Sequence, residues 1–325
     1  MDIPEIKTKT VAPANSSATA HGSFLDVSER ALIGLEGADA QDLLQRLSTN
    51  DVSRLMVGGN LQTVLTNEKG RMIEVLSVVK PEENKLLLVG QSSDAEGLAQ
   101  WFDKLIIMED AKVELLSSVY AHYVLYDSAS LQDISRSMTV PEGTYIWEEN
   151  WGGARILHLL SNKSDRARLI DELTRVGAHA AEPDQFENFR VSHGIPKSPN
   201  ELSDHYNPLE ANLSSLISRT KGCYIGQEVI ARLDTYKKVQ KRLGRLILDE
   251  FPDTLPLSLW SEKGEGGTLT SAIKPRTGQK TQGLGYVRIA QLERSENLFF
   301  NRGNLRILAR PVIVESDKAE TKTNA

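Results

Sequence analysis

A chain of 325 residues, 40% of them hydrophobic, carries enough apolar material for two or three domains of an ordinary soluble globular protein. Its formal charge of −6 argues against bulk polyanion binding, and its single cysteine excludes an internal disulfide and any Cys/His zinc spacing, which suits a reducing compartment. No apolar run approaches the roughly 18 residues of a membrane span, no basic-then-apolar leader opens the chain, and the first 29 residues contain no Arg, unlike a transit peptide, so a cytoplasmic location is expected.

Residues 1–21, rich in Thr, Ser, Ala and Pro, and the charged, Thr-containing residues 315–325 read as disordered tails. Strand material begins near Phe24 and recurs from Ala31 to Leu35. Ala40, Leu43, Leu44 and Leu47 then form one apolar stripe at helical spacing. Three strand-like runs follow as a meander: Leu61–Thr66, Met72–Val79 and Lys85–Val89, separated by turn signals at Asn67–Gly70 and Pro81–Asn84. Ser93 with Glu96 three residues on predicts a capping box for a helix carrying Leu98, Trp101, Phe102 and Leu105. Strands at Val113–Leu116 and Ala121–Tyr126 complete a first α+β lobe over residues 22–127. A second α+β lobe over 128–243 has strands near Tyr145 and Ile156, a helix through Leu169, Ile170, Leu173 and Val176, and another starting at Pro183. Short strand runs in 244–314 (Leu246–Leu248, Gly283–Arg288, Leu305–Val314) predict a small C-terminal β-barrel or sandwich. The Gly264–Gly267 stretch reads as a hairpin turn, because it lacks the Lys-Ser/Thr and helix of a phosphate loop.

The chemistry concentrates at Lys221–Glu228, which reads KGCYIGQE and holds the only cysteine, Cys223. Gly222 and Gly226 free the backbone for tight turns, so Cys223 falls on a short loop. From Gln227 onward Val229, Ile230 and Leu233 recur at helical spacing, with Glu228 four residues before Arg232. A thiol before a helix N-terminus and near Lys221 is biased towards thiolate. A lone cysteine is commonly a small buried apolar residue, but the glycines, the lysine and the polar pair Gln227-Glu228 favour a functional thiol. One thiolate cannot hold an iron–sulfur cluster alone.

Thirteen residues earlier, Glu210 stands among apolar neighbours in Asn207–Leu213. Either an ion pair with a local Arg offsets its burial, or it recognises a ring with adjacent N–H donors, such as a pterin. The six histidines form no HExxH pair, and no GxSxG elbow exists. Arg232, Lys237, Lys238, Lys241, Arg242 and Arg245 face one acid, Asp234, in a run that is either a solvated face or a partner surface. With only Tyr236 interleaved, direct nucleic-acid binding is not expected.

Arg190, Gly194-Ile195-Pro196, Glu201-Leu202, Pro208-Leu209-Glu210, KGCYIGQE and Ala231-Arg232 together resemble the YgfZ-type branch of the glycine-cleavage T-protein (aminomethyltransferase) superfamily. Asp26-Val27-Ser28, Gly37–Ala40, Thr49–Val52, Asn67–Arg71 and Gly283–Arg288 extend the resemblance over about residues 24 to 314. The resemblance implies an α+β ring of three domains, two α+β lobes and a C-terminal β-barrel, around a folate-sized channel. It implies binding of tetrahydrofolate or a derivative and a role in iron–sulfur cluster assembly or repair, supporting cluster enzymes that include tRNA-modifying ones. Cys223 would be the functional thiol and a transient ligand of a cluster shared with carrier or client proteins. Lys221 would favour its thiolate, Glu210 would anchor the pterin, and Tyr224, Gln227 and Arg232 would shape the channel. The aminomethyltransferases carry paired aspartates where this chain has Glu74-Val75, which weakens the alternative of a tetrahydrofolate-dependent aminomethyltransferase or demethylase.

Overall fold

The computed structural model describes residues 22–128, 131–274, 280–294, 297–302 and 305–312; the tails expected at 1–21 and 315–325 lie outside the described residues. In chain order come β1 (Ser23–Asp26), β2 (Leu32–Glu36), α1 (Ala40–Leu47), β3 (Asn60–Thr66), β4 (Met72–Glu82), β5 (Lys85–Gly90), α2 (Ala95–Asp103), β6 (Lys112–Leu115) and β7 (Tyr120–Tyr126). Next are α3 (Leu131–Ser137), β8 (Tyr145–Trp151), β9 (Ala154–Asn162), α4 (Arg166–Arg175), β10 (His179–Ala180), α5 (Pro183–His193) and α6 (Gln227–Thr235). The last are β11 (Lys241–Leu248), β12 (Leu257–Ser261), β13 (Gly264–Ile273), β14 (Thr281–Arg288), α7 (Ile289–Arg294), β15 (Leu298–Arg302) and β16 (Leu305–Val312).

The first two sheets stack face to face between outer helices. In the first sheet, ordered β3-β4-β5-β2-β6, alternate residues serve opposite faces, as the two-residue period of a strand requires. Ile33, Leu35, Leu86 and Leu88 pack on Leu43 and Leu44 of α1 and Phe102 of α2. Leu32, Leu87 and Val89 pack instead on Trp147 and Leu160 of the second sheet. That second sheet is ordered β10-β1-β7-β9-β8, and its outer face covers Leu131 and Ile134 of α3 and Leu169 and Leu173 of α4. A third core joins all three sheets through Val75, Val124, Val191, Leu202, Leu243, Leu284 and Tyr286.

The expected fold is corrected in two places. It is α+β, but its two lobes are not consecutive: β1 and β7, from the first third of the chain, pair with β10 and β9 in the second sheet. The C-terminal strands run in the cyclic order β11-β14-β13-β12-β15-β16, with β16 returning to β11. They do not form the expected barrel closed by continuous ladders, because β12 meets β15 at one residue pair, Trp260 with Phe299. The β12–β13 register shifts between Leu259 and Trp260, where Gly266 of β13 is the extra residue.

Two local expectations also move. The cap of α2 is Asp94, whose side chain accepts from Gly97 N at 2.8 Å, rather than Ser93. Gly264–Gly267 begins β13 instead of forming the turn. A Cβ on Gly267 would lie 2.2 Å from the Tyr286 carbonyl, so close strand approach requires this glycine.

Arg190 ties β13 of the third sheet to α5 and to the segment that follows it. Its guanidinium is 1% exposed and spends all five N–H donors. Nε donates to Glu187 at 2.7 Å, Nη1 to the Ile195 carbonyl at 3.2 Å and Glu201 at 3.1 Å, and Nη2 to Ser271 of β13 at 2.7 Å and again to Glu187. Glu201 is wholly buried and also accepts from Thr270 and Ser271. Arg190→Met leaves that carboxylate without its cation and is expected to cost about 3–5 kcal/mol of unfolding free energy, measured from the denaturant midpoint.

Candidate functional site

Three stretches far apart in sequence meet at one place: the Asn67–Arg71 turn between β3 and β4, the Asn207–Asn212 loop, and the KGCYIGQE loop leading into α6. Asn67 closes the turn by accepting Gly70 N at its carbonyl (2.8 Å) and Lys69 N and Arg71 N at Oδ1 (both 3.0 Å). Gly226 has φ +82°, and a Cβ on it would lie 2.5 Å from the Asn67 carbonyl. Only glycine lets the two loops approach so closely. Thr66 Oγ1 donates to the Ile225 carbonyl at 2.6 Å and fixes the contact. Gly222 keeps a negative φ and has open space about its Cα, so no such constraint acts there.

Glu210 meets the Arg that its burial called for. Its Oε2 accepts from Arg71 Nη1 at 3.1 Å and Asn207 N at 3.0 Å, while Asn207 Oδ1 accepts Glu210 N at 3.0 Å. Oε1 accepts from no described residue, so one lone-pair face of a nearly buried carboxylate is uncommitted. Arg71 also donates to the His205 carbonyl at 2.9 Å. The Glu210 carbonyl accepts Leu243 N at 2.8 Å, which ties the loop to β11.

Cys223 is exposed at the outer edge of this junction. Lys221 does not donate to it. Its ammonium gives all three protons to the carbonyls of Gln45 (2.6 Å), Ser48 (2.7 Å) and Asn50 (2.6 Å), at and just beyond the C-terminus of α1. The Gln45 and Ser48 carbonyls have no backbone donor of their own, while that of Asn50 also accepts Val52 N at 3.1 Å, and a cation there also opposes the helix dipole. Burial pulls the Lys221 amine down to about 8, against the charge of Asp51, so it remains mainly protonated at neutral pH.

Tyr224 is buried among Leu209, Ile230 and partly buried Ile217 and Leu233. Burial, and then the charge of Asp234, pushes its phenol up to about 12. Gln227 is half-buried and Arg232 exposed, and the side chain of neither has a partner among the described residues. Glu228 does not pair with Arg232. The basic run divides: Arg245 donates to the Ser192 carbonyl and Lys241 Nζ lies 4.5 Å over the Tyr206 ring, leaving Arg232, Lys237 and Lys238 exposed.

Glu74 lies on β4, just beyond Arg71. Its Oε1 accepts from Val75 N (2.9 Å) and Gln91 N (3.0 Å), and its Oε2 from Ser92 N (3.3 Å) and Ser92 Oγ. Burial pushes its carboxyl up, against these hydrogen bonds. No group of three or more His, Cys, Asp or Glu side chains among the described residues is placed to hold a metal ion, and none of their helices is long and apolar enough to cross a membrane.

Sequence reasoning missed a buried chain between the sheets. His122 Nε2 lies 3.0 Å from His158 Nδ1, and His158 Nε2 lies 3.3 Å from Glu149 Oε2. Their spacing in sequence carries no motif; the β7–β9 register brings them together, with His122 opposite Leu160.

Residues 8–127 match the family model described as the GCVT N-terminal domain. A putative chloroplast transferase of Arabidopsis thaliana is 27% identical over 81% of this chain, which spans 65% of that protein's length. An aminomethyltransferase of Bacillus pumilus is 22% identical over 89% of this chain and 85% of its own. The glycine cleavage system aminomethyltransferase T of Bartonella henselae superposes with a TM-score of 0.76 at 18% identity, over 91% of this chain and 86% of that one, which shows a shared fold. The chain is homologous to the glycine-cleavage T-protein/aminomethyltransferase superfamily.

Lys221→Met would strand the Gln45 and Ser48 carbonyls and release the cysteine loop from α1. Unfolding free energy is expected to fall by about 2–4 kcal/mol, read from denaturant titration; a change below about 0.5 kcal/mol would show that water replaces the ammonium at little cost.

Proposed function

We propose that this chain binds tetrahydrofolate or a derivative and acts in one-carbon transfer, as an aminomethyltransferase or demethylase. The observation that carries this reading is the Arg71–Glu210 pair at the head of β4, the strand that also holds Glu74. A pterin presents ring N–H donors, and the uncommitted Oε1 of Glu210 fits one of them while Arg71 holds the other oxygen. Tyr224 would form an apolar wall, with Gln227 and Arg232 shaping the rim. When bound, tetrahydrofolate supplies the nitrogens that carry the one-carbon unit. Glu74 would hold or release a proton beside it, a role suited to a carboxyl that burial pushes up. The aminomethyltransferases of Bacillus support the class, while the absence of a second carboxylate at Val75 favours a substrate other than that of glycine cleavage.

A second reading follows from the exposure of Cys223. As an accessory factor of iron–sulfur cluster assembly or repair, the chain would present this thiol to a carrier or client, including tRNA-modifying cluster enzymes. The partner would supply the remaining ligands.

Calorimetry with tetrahydrofolate should give heat with the wild type and about tenfold weaker binding for Glu210→Ala; equal affinities would count against the ligand site. Under turnover with small methylated or aminomethyl amines, Glu74→Gln should lose on the order of 10²-fold or more in rate. Cys223→Ser separates the readings: transfer predicts unchanged turnover, whereas the accessory role predicts loss of cluster-enzyme activity in a deletion strain complemented with the variant.

A further inference from the structure

Glu149 of β8 is 2% exposed and has its carboxylate fixed from both sheets. Trp151 Nε1 donates to Oε2 at 2.8 Å, Trp147 Nε1 to Oε1 at 3.2 Å, and Ser77 of β4 also donates to Oε1. His158 and His122 are 1% and 4% exposed and stack on Trp147 at ring distances of 4.8 Å and 5.5 Å. Glu149 and His158 line a cavity of about 20 Å³ with Arg30, Gln91, Arg190 and Lys197, a volume that holds about one water. His158 Nε2, although 3.3 Å from the carboxylate, has no hydrogen-bond partner among the described residues.

We propose that the Glu149–His158–His122 chain is a one-proton acceptor site that reaches this cavity through Glu149 and His158, storing its proton on His158 for a water-sized acceptor there. The charge of an ionised Glu149, 3.3 Å from Nε2, favours the His158 tautomer with hydrogen on that nitrogen. His158 Nδ1 then accepts from His122 Nε2–H, and His122 Nδ1 is bare. On uptake one solvent proton forms an N–H bond at His122 Nδ1. The Nε2–H bond of His122 breaks as its proton moves to His158 Nδ1. The chain gains one positive charge, no electrons move, and His158 becomes an imidazolium beside Glu149. A second proton is opposed because two imidazolium rings would lie 3.0 Å apart. Burial first, then the charges of His158 and Arg30, hold His122 well below the ordinary histidine range. The charges facing the site are Arg30, from the segment before β2, with Glu29 beside it, Glu74 on β4, Arg190 of α5 and Lys197 after it on the cavity wall, and Glu149 itself. Arg30 favours an ionised Glu149 and discourages a second proton.

The proposal rests on this cavity and stands whether or not folate binds. Nitrogen-resolved NMR of the histidine imidazoles in the full chain, from about pH 9 to about pH 5, tests it. His122 and His158 should change together in one transition, with His122 switching from the Nε2–H to the Nδ1–H tautomer. Two independent transitions, or an unchanged His122 tautomer, would overturn the proposal. Glu149→Gln should weaken proton binding by about tenfold or more, with Glu149→Asp restoring part of it. An unshifted transition in Glu149→Gln would also overturn it. Should that variant fail to fold, the wild-type tautomer measurement decides alone.

Discussion

The buried pairing of Arg190 with Glu201 is the constraint on which the remaining architecture depends. A guanidinium stripped of water is tolerable only when every N–H finds an acceptor, and here α5, the Ile195 turn, Glu201 and β13 provide them. The requirement fixes where the irregular segment after α5 must run. Tyr286 then donates its hydroxyl to the Glu201 carbonyl, Met72 N bonds the Tyr206 carbonyl, and Leu243 N bonds the Glu210 carbonyl. A stretch with little regular structure is thereby held from three sides, its buried polar groups paired as they must be.

The candidate site inherits its order from that segment. Glu210 is presented to Arg71 because the loop bearing it is fastened to β4 and β11 on either side of the carboxylate. The cysteine loop is fastened separately, by Lys221 to α1 and by Gly226 to the Asn67 turn. Cys223 thus stands on a fixed support while remaining open to solvent, a combination that burial of a small apolar side chain would not produce. Glu210 and Cys223 belong to one junction but are held by different contacts, so each can be altered with the other left in place.

Much of this was legible in sequence where the signal was local. The stripe Ala40, Leu43, Leu44 and Leu47 is buried as its spacing requires, and the β3–β5 meander follows its turn residues. Glu210 among apolar neighbours already demanded a partner. What escaped was set by pairing between distant strands. Nothing local assigns Ser23–Asp26 to a sheet completed by His179, or sets His122 beside His158. Gly267 of β13 reads as part of a turn because its cause, the backbone of Tyr286, is supplied by the neighbouring strand. Lys221, beside the thiol in sequence, is drawn to α1 by carbonyls that no short-range pattern connects to it.

The placement of β1 and β7 bears on what counts as a unit of inheritance in this chain. The segment matching the family model ends at residue 127, just past β7. It contains the whole first sheet, yet also two neighbouring strands of the second, and β7 without β9 would expose a long apolar edge. The stretch matched by the family model is therefore not a piece that could be excised and fold intact. The chain passes between the two sheets and their facing sides share one core, so they gain and lose structure cooperatively, and an alteration in either is felt as a change in the stability of both.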